Sequence, residues 1–375
     1  MACFRTGLAA VVACVSLGVP PAFAATQSTS LGINFVTIGA PGNRAARPDE
    51  RYWNINTPQT EQIGAVAYEY RLSRTEIDAT QWISFVNAFT PHWEAMGGSR
   101  FDSSFSSESI SPTSYDPRQA PGWRINPGSE HKAVTMTWRV AAYYCNWLHN
   151  GAATADPNAA WGTPQSIVPI TNFTSGAYDT STFGRRPDGS YTDQITRSAG
   201  ARFWIPSLDE WTKAVYYDPN RYGAGREGYW LRPGGQNDPL VSGLPSAGGQ
   251  TSAGGNFPPG FDARTIPVGS YPNIEGPWGV LDASGGVSEW TEGTYTAGAG
   301  APLRWYNRLA RGSVAGTNDY IGDDLIDSFN GGGSPILSGP GLRLAATVPT
   351  PAAYLGMVLG LSLTIRRSRS CCVDS

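Results

Sequence analysis

The apolar residues of this chain occur in short runs separated by long polar stretches. Residues 33–39 and 66–72 are rich in β-branched and aromatic side chains, which predicts two early strands. Residues 97–130 and 151–198 contain much Ser, Gly and Pro and show little periodicity, so we expect surface loops there.

Three further segments combine an N-terminal capping residue with apolar residues at helical spacing, which predicts three amphipathic helices. Two of the caps have an acid or amide three residues later and form capping boxes. The caps and their partners are Asp78 with Gln81, Thr137 alone, and Ser207 with Glu210. We expect the first helix to end at Pro91, because proline lacks the backbone N–H, and the second to end at Gly151.

The composition adds to this picture of one loop-rich α+β domain. The chain has 375 residues with 45 glycines and 29 prolines, too many helix-breaking residues for a helical bundle. The net charge of −3 argues against a nucleic-acid partner, which requires a basic face.

The first 24 residues have the organisation of an export signal. Arg5 is followed by an apolar run at residues 8–19 and by Ala22-Phe23-Ala24, after which we expect cleavage. A membrane anchor is the alternative, but the run is short for a membrane span. Of the five cysteines, only Cys145 then remains in the folded body, residues 25–346, and a helix position there predicts an inert, buried thiol.

The C-terminal segment, residues 347–370, carries an apolar run at residues 352–365 followed by an arginine cluster. It resembles a PEP-CTERM sorting signal, with Thr350 in place of that signal's Glu, and a short tail follows at residues 371–375. The resemblance implies display at a bacterial cell envelope and an exosortase-like sorting enzyme as partner. A plain tail anchor or a buried C-terminal helix are the alternatives.

Residues 276–291 read GPWGVLDASGGVSEWT and form the most informative loop of the chain. Asp282 and Glu289 are seven residues apart around Gly285 and Gly286, where the backbone can turn tightly. Two carboxylates and main-chain carbonyls on one loop are the oxygen ligands that Ca²⁺ prefers, so the loop is a candidate calcium site. The alternative is that Asp282 caps a turn and Glu289 is a solvated surface residue.

This loop resembles the G-L-x-D-x-x-G-N-V-W-E-W signature of the formylglycine-generating enzyme (sulfatase-modifying factor) family. The resemblance implies a C-type-lectin-like α+β fold with bound Ca²⁺. The implied ligands are Asp282, Gly285, Val287 and Glu289 for one ion, and Asn256, Phe257 and Asp262 for a second. Gly286 and Ser288 depart from the family's Asn and Trp, and that Trp lies beside the family's active centre.

Other segments resemble family motifs in the family's order, from about residue 31 to residue 346. They are residues 71–89, 134–149, 203–217, 308–314 and 339–345. Within them Glu210 is expected to serve as a helix-capping partner and Arg343 to bridge carbonyls or a carboxylate inside the fold. Trp290, at the end of the central loop, is an aromatic of the buried type.

The family's oxidase chemistry uses copper held by two thiolates, and the corresponding positions here are Gly316 and Ile321. A related branch holds non-haem iron with histidines, but His92, His131 and His149 lack the required H-x₃-H-x-E spacing. We therefore expect neither copper nor iron. The favoured hypothesis is a non-catalytic, calcium-stabilised binding or matrix module for an envelope carbohydrate or protein. The alternative is a metal-dependent oxidoreductase acting on a protein or small thiol.

Overall fold

The computed structural model describes residues 27–28, 31–52, 62–99, 108–113, 122–156, 163–187, 189–295, 307–328, 330–336 and 338–349. The expected export signal, the sorting segment beyond residue 349 and the final tail lie outside these residues. None of the helices in the described ranges is long and apolar enough to cross a membrane.

Five helices and twelve short strands alternate with loops along the described chain. The helices are α1 Ala79–Ala95, α2 Trp138–His149, α3 Thr171–Thr174, α4 Leu208–Tyr216 and α5 Tyr320–Asp323. The first six strands are β1 Gln27–Ser28, β2 Asn34–Ile38, β3 Tyr70–Ser73, β4 Ile110–Pro112, β5 Trp123–Ile125 and β6 Phe203–Trp204. The others are β7 Tyr217–Asp218, β8 Gly228–Tyr229, β9 Glu289–Tyr295, β10 Asn307–Arg311, β11 Asn330–Gly333 and β12 Ala345–Ala346. This mixture confirms the predicted loop-rich α+β class.

An antiparallel sheet in the order β1-β2-β3-β12-β6 joins distant parts of the chain. Strand β12 lies between β3 and β6, with Ala345 opposite Leu72 on one side and Trp204 on the other. A second antiparallel sheet has the order β11-β10-β9. The residues just before β12 are thereby placed beside the turn that follows β3.

The helix starts agree with the predicted caps. Asp78 accepts a hydrogen bond from the Gln81 backbone at 3.0 Å, and the Gln81 side chain accepts one from Asp78 N at 3.1 Å. Thr137 caps α2, and Ser207 with Glu210 forms the capping box of α4.

The expectation that Pro91 ends the first helix is wrong, because α1 continues to Ala95. Residues around the proline are held by other contacts. The Thr90 hydroxyl donates to the Val86 carbonyl at 2.6 Å, and the His92 ring contacts the Val168 carbonyl at 2.6 Å. The first is a bond within α1 and the second a tertiary contact, and together they offset the hydrogen bond that a proline removes from a helix.

The strand predicted at residues 66–72 is shorter than expected and begins only at Tyr70. Val66 bonds instead to the preceding loop, since its N–H donates to Asn43 Oδ1 at 3.1 Å and its carbonyl accepts from Gly42 at 2.9 Å. The loop predicted at residues 97–130 contains the β4–β5 hairpin.

The aromatic face of α1 packs on α2 and forms the centre of the core. Trp82 and Tyr144 have ring centroids 5.0 Å apart, and Phe85 and Phe89 stack at 5.4 Å. These side chains are fully buried, as is Cys145 on the same helix pair. The aromatic stripe is therefore core packing, and a thiol in such surroundings is shielded from reagents.

Candidate carboxylate centre

The central loop is fixed by hydrogen bonds that its backbone N–H groups donate to side chains of two other loops. The N–H of Gly285 donates to Ser313 Oγ at 3.0 Å, and that of Gly286 donates to Ser252 Oγ at 2.8 Å. Gly286 has φ +62°, a conformation that glycine adopts without a steric penalty. The loop thereby places Asp282 and Glu289 inside the protein.

Glu289 forms a buried ion pair with Arg343, and both residues are at most 1% exposed. Arg343 Nη2 lies 2.7 Å from Glu289 Oε1, and Arg343 Nε lies 3.0 Å from both carboxylate oxygens. The Trp211 indole N–H also donates to Glu289 Oε2. The alternative that Glu289 is a solvated surface residue is therefore wrong.

The Arg343 guanidinium also joins three backbone segments. It donates to the carbonyls of Ser73 at 3.1 Å, Arg74 at 2.8 Å and Leu281 at 2.8 Å. Burial disfavours its charge, but Glu289 outweighs this effect and raises the pKa of Arg343. The arginine thus links the end of β3 to the central loop, in agreement with the bridging role expected for it.

Asp282 lies beside this pair with a different set of contacts. Its backbone has φ +55°, and its Oδ2 accepts a hydrogen bond from the N–H of Gly269. Burial raises the pKa of its carboxyl group. The bond to Gly269 connects the central loop to the segment that precedes it, so Asp282 does more than cap its own turn.

Glu76 is the member of the centre that the sequence argument did not select. It lies in the turn before α1 and is 1% exposed. Its Oε1 accepts a hydrogen bond from Val287 N at 3.3 Å, whereas its Oε2 is buried and has no hydrogen-bond partner in the described chain. Burial first, and then the charge of Asp282, raise the pKa of Glu76 well above its usual range. The available sequence signal was its position within residues 71–89, a segment that resembles a family motif.

Gly286 makes room for Glu76. A Cβ atom at residue 286 would lie 2.0 Å from Glu76 Oε1, which no real side chain tolerates. The family's Asn is thus replaced by glycine at the position where the Glu76 carboxylate lies against the backbone of the central loop.

A cavity of about 270 Å³ opens beside Glu76 and Asp282. Its walls include the aliphatic side chains of Val268 and Val287 and the ring of Tyr271. Four acids and two bases line the cavity, and two of the acids, Glu108 and Asp262, are paired with Arg264. Lys132 is the second base, so the excess of carboxylates still favours a small cation beside Glu76 and Asp282.

The charges of the centre fit a divalent cation. Glu76, Asp282 and Glu289 interact with one another and with the buried guanidinium of Arg343, so these four groups have a formal charge of −2 when all are ionised. Ca²⁺ would neutralise this charge and could be coordinated by the Glu76 oxygen that lacks a hydrogen-bond partner. Among the described residues no three acidic, histidine or cysteine side chains meet at one point, so carbonyls and water would complete the shell.

The residues predicted for a second calcium ion lie in separate contacts. The Asn256 amide donates to the Ser242 carbonyl at 3.1 Å, and Asp262 Oδ1 accepts from Arg264 Nε at 3.0 Å. Phe257 stacks on Phe261 with centroids 5.7 Å apart. Asp262 would have to leave its arginine to bind an ion, and the second site stays a prediction.

The two other structural residues selected from the sequence are buried. Trp290 donates from its indole to the Met136 carbonyl at 2.8 Å. Glu210 accepts from Ser207 N at 2.7 Å as a capping partner and also pairs with Arg197 at 3.0 Å. Its second role, the ion pair with a residue from another loop, was not anticipated.

The three histidines lie in unrelated places. His92 contacts the Val168 carbonyl, His131 contacts Asp78 at 3.0 Å, and His149 accepts from the N–H of Arg202 at 3.1 Å. Gly316, at one expected thiolate position, has φ +74°, and Ile321, at the other, is exposed. Cys145 is buried, and burial raises the pKa of its thiol well above the usual range.

These features define a loop-rich α+β domain of the formylglycine-generating-enzyme or C-type-lectin-like type, built around a buried carboxylate centre. The chain belongs to the family described as the sulfatase-modifying factor enzyme 1-like domain, whose model matches residues 33–331. No curated protein matches the chain.

Solved structures with similar folds are distant from this chain. CarF is 18% identical, covers 85% of this chain and 100% of its own, and has a TM-score of 0.42. Treponema denticola variable protein 1 is 17% identical, covers 86% and 99%, and has a TM-score of 0.46. PvdO from Pseudomonas aeruginosa is 14% identical, covers 87% and 98%, and has a TM-score of 0.42. At these values the likenesses carry no argument about function.

Proposed function

We propose that this protein is an exported, non-catalytic binding or matrix module that is displayed at a bacterial cell envelope and stabilised by calcium. The observation that carries the proposal is the replacement of the family's two thiolate positions by Gly316 and Ile321. Neither residue has a side chain that can bind Cu(I), which requires soft sulfur ligands.

The remaining thiol of the described domain supports this proposal. Cys145 lies in the aromatic core between α1 and α2, and its raised pKa keeps it protonated at neutral pH. A protonated, inaccessible thiol is neither a nucleophile nor a good metal ligand.

The charge of the carboxylate centre supports calcium as the stabilising ion. Asp282 lies beside the cavity with Glu76, and the centre lacks two positive charges when its acids are ionised. An ion that binds only the folded protein raises stability by mass action, so the melting temperature would increase with free Ca²⁺.

Aromatic side chains on the surface loops suit the binding of a carbohydrate or protein. The Arg221 guanidinium lies over the rings of Tyr222 and Trp230, at 4.8 and 4.9 Å from their centroids. The stacked pair Phe257 and Phe261 lies on another loop, with Phe261 exposed. Rigid aromatic surfaces of this kind contribute contact area at a small entropic cost.

Export and display are proposed from residues 1–24 and 347–370. An apolar run followed by Arg366, Arg367 and Arg369 favours a membrane-directed segment whose positive end stays cytoplasmic. An exosortase-like enzyme would process this segment. Fractionation of cells that express the full chain, compared with a chain ending at residue 349, measures whether the segment is required for display.

The test of the non-catalytic role is a thiol-oxidation assay. The chain beginning at residue 25 is supplied with Cu(I), oxygen and a cysteine-containing peptide, and the peptide is followed by mass spectrometry. We expect the cysteine to remain unconverted. Copper-dependent conversion that persists in a Cys145→Ser variant would establish the oxidoreductase alternative and overturn the proposal.

A further inference from the structure

We propose that calcium binds in the cavity beside the central loop with Glu76 and Asp282 as its carboxylate ligands, and that Glu289 is not a ligand. This inference rests on the calcium part of the proposed function and changes which residues hold the ion. It adds Glu76, which lies far from the loop in sequence, and removes an acid that the motif had suggested.

The contacts of Glu289 argue against metal ligation by this residue. Its Oε1 accepts two bonds from Arg343, and its Oε2 accepts one from Arg343 and one from Trp211. Turning the carboxylate toward an ion would leave a buried guanidinium unpaired. Breaking a buried ion pair is costly, because the remaining charge has neither water nor a partner.

Glu76, unlike Glu289, has a carboxylate oxygen without a hydrogen-bond partner among the described residues. This oxygen is Oε2, and the residue is 1% exposed and lines the cavity. A buried carboxylate oxygen in this state requires a proton or a cation. Its Oε1 is held by Val287 N at 3.3 Å, which fixes the carboxyl group at the cavity wall.

Asp282 lines the same cavity and supplies the second carboxylate. Its Oδ2 is held by the N–H of Gly269, which leaves the other oxygen for an ion. Calcium accepts six to eight oxygen ligands, so two carboxylates leave positions for carbonyls and water. Because the cavity measures about 270 Å³ and a water occupies about 30 Å³, it has room for an ion with several waters.

The cavity also gives the ion a path to solvent. An ion held on one side by carboxylates and on the other by water exchanges more readily than one enclosed by protein. We therefore expect a chelator to remove the calcium from the folded protein without unfolding it.

Calorimetric titration of metal-free protein with Ca²⁺ tests the assignment. Wild type is expected to bind one ion at this centre, and Glu76→Gln and Asp282→Asn are each expected to weaken binding by more than about tenfold, equivalent to 1.4 kcal/mol. Glu275→Gln is the matched control, since Glu275 is an exposed acid paired with Arg74 outside the cavity. Its affinity should equal that of wild type.

Thermal melting without calcium separates binding from folding. Glu76→Gln replaces a carboxyl group whose ionisation is disfavoured by burial, so the metal-free variant should melt at or above the wild-type temperature while losing the gain that calcium gives. Wild-type binding with unchanged affinity in Glu76→Gln would overturn the assignment and leave the proposed function intact. Absence of calcium binding in wild type would overturn the calcium part of both proposals, but not the non-catalytic role.

Discussion

The buried pair of Glu289 and Arg343 gives the sharpest prediction about stability. Replacing Arg343 by methionine keeps an apolar body but removes the guanidinium that contacts Glu289 and three backbone carbonyls. Leaving the Glu289 charge unpaired costs about 3–5 kcal/mol. The Arg74 carbonyl keeps its bond from Leu281 N, whereas the carbonyls of Ser73 and Leu281 lose the guanidinium and each add about 1 kcal/mol. The total of about 5–7 kcal/mol approaches the whole stability of a typical domain.

A second substitution shows whether the unpaired charge of Glu289 causes most of the loss of stability in Arg343→Met. Glu289→Gln removes the charge while its amide oxygen can still accept from Trp211. Added to Arg343→Met, it should recover about 3 kcal/mol, which is the upper end of coupling energies for contacting residues. Equilibrium denaturation of wild type, both single variants and the double variant in chelator measures this coupling. If the double variant is as unstable as the sum of the single variants, the pair is not a coupled unit and the reasoning fails.

Three further predictions concern neighbouring parts of the same domain. Gly286→Ala should destabilise the fold by about 1–3 kcal/mol and weaken calcium binding. A Cβ at this residue would lie 2.0 Å from Glu76 Oε1, and its φ of +62° is unfavourable for alanine. Unchanged denaturation and binding curves would contradict this prediction. Burial raises the pKa of Asp324 from 3.8 to about 7, although Ser284 donates to it at 2.6 Å. The contribution of the protonated Asp324 to stability is therefore complete below about pH 4 and is lost as pH rises through about 7. Between pH 4 and 8, the free energy of unfolding of Asp324→Asn should rise relative to that of wild type by up to about 4 kcal/mol. A stability difference that does not vary with pH would refute it. Cys145 should resist a thiol reagent in the native protein and react after unfolding, and rapid native labelling followed by mass spectrometry would show that the core is open.

Local sequence signals were sufficient to predict where the helices begin and which side of α1 is buried. Asp78 and Ser207 cap helices because a side-chain oxygen and a nearby backbone N–H are adjacent in sequence. The aromatic stripe of α1 was readable from its period alone. Pro91 misled the prediction because contacts of the following turn with distant residues outweigh the local preference.

The carboxylate centre could be predicted only in part from the sequence. Asp282 and Glu289 stand in one short segment, so their common location inside the protein could be expected. The pairing of Glu289 with Arg343 depends on β12 inserting between β3 and β6, which no local pattern predicts. Glu76 reaches Val287 through the same long-range arrangement, and the closeness of the two is visible only in three dimensions.

Metal analysis of the purified protein tests the central claim most directly, namely that this member of the family holds a hard cation on oxygen and lacks thiolate copper chemistry. The chain beginning at residue 25 is dialysed to equilibrium against Ca²⁺, Cu(I) and Fe(II) together, and the metal in the protein compartment in excess of the buffer is measured by elemental mass spectrometry. The account predicts calcium near one ion per chain in wild type and much less in Glu76→Gln. Copper or iron near one ion per chain, with no calcium, would contradict it.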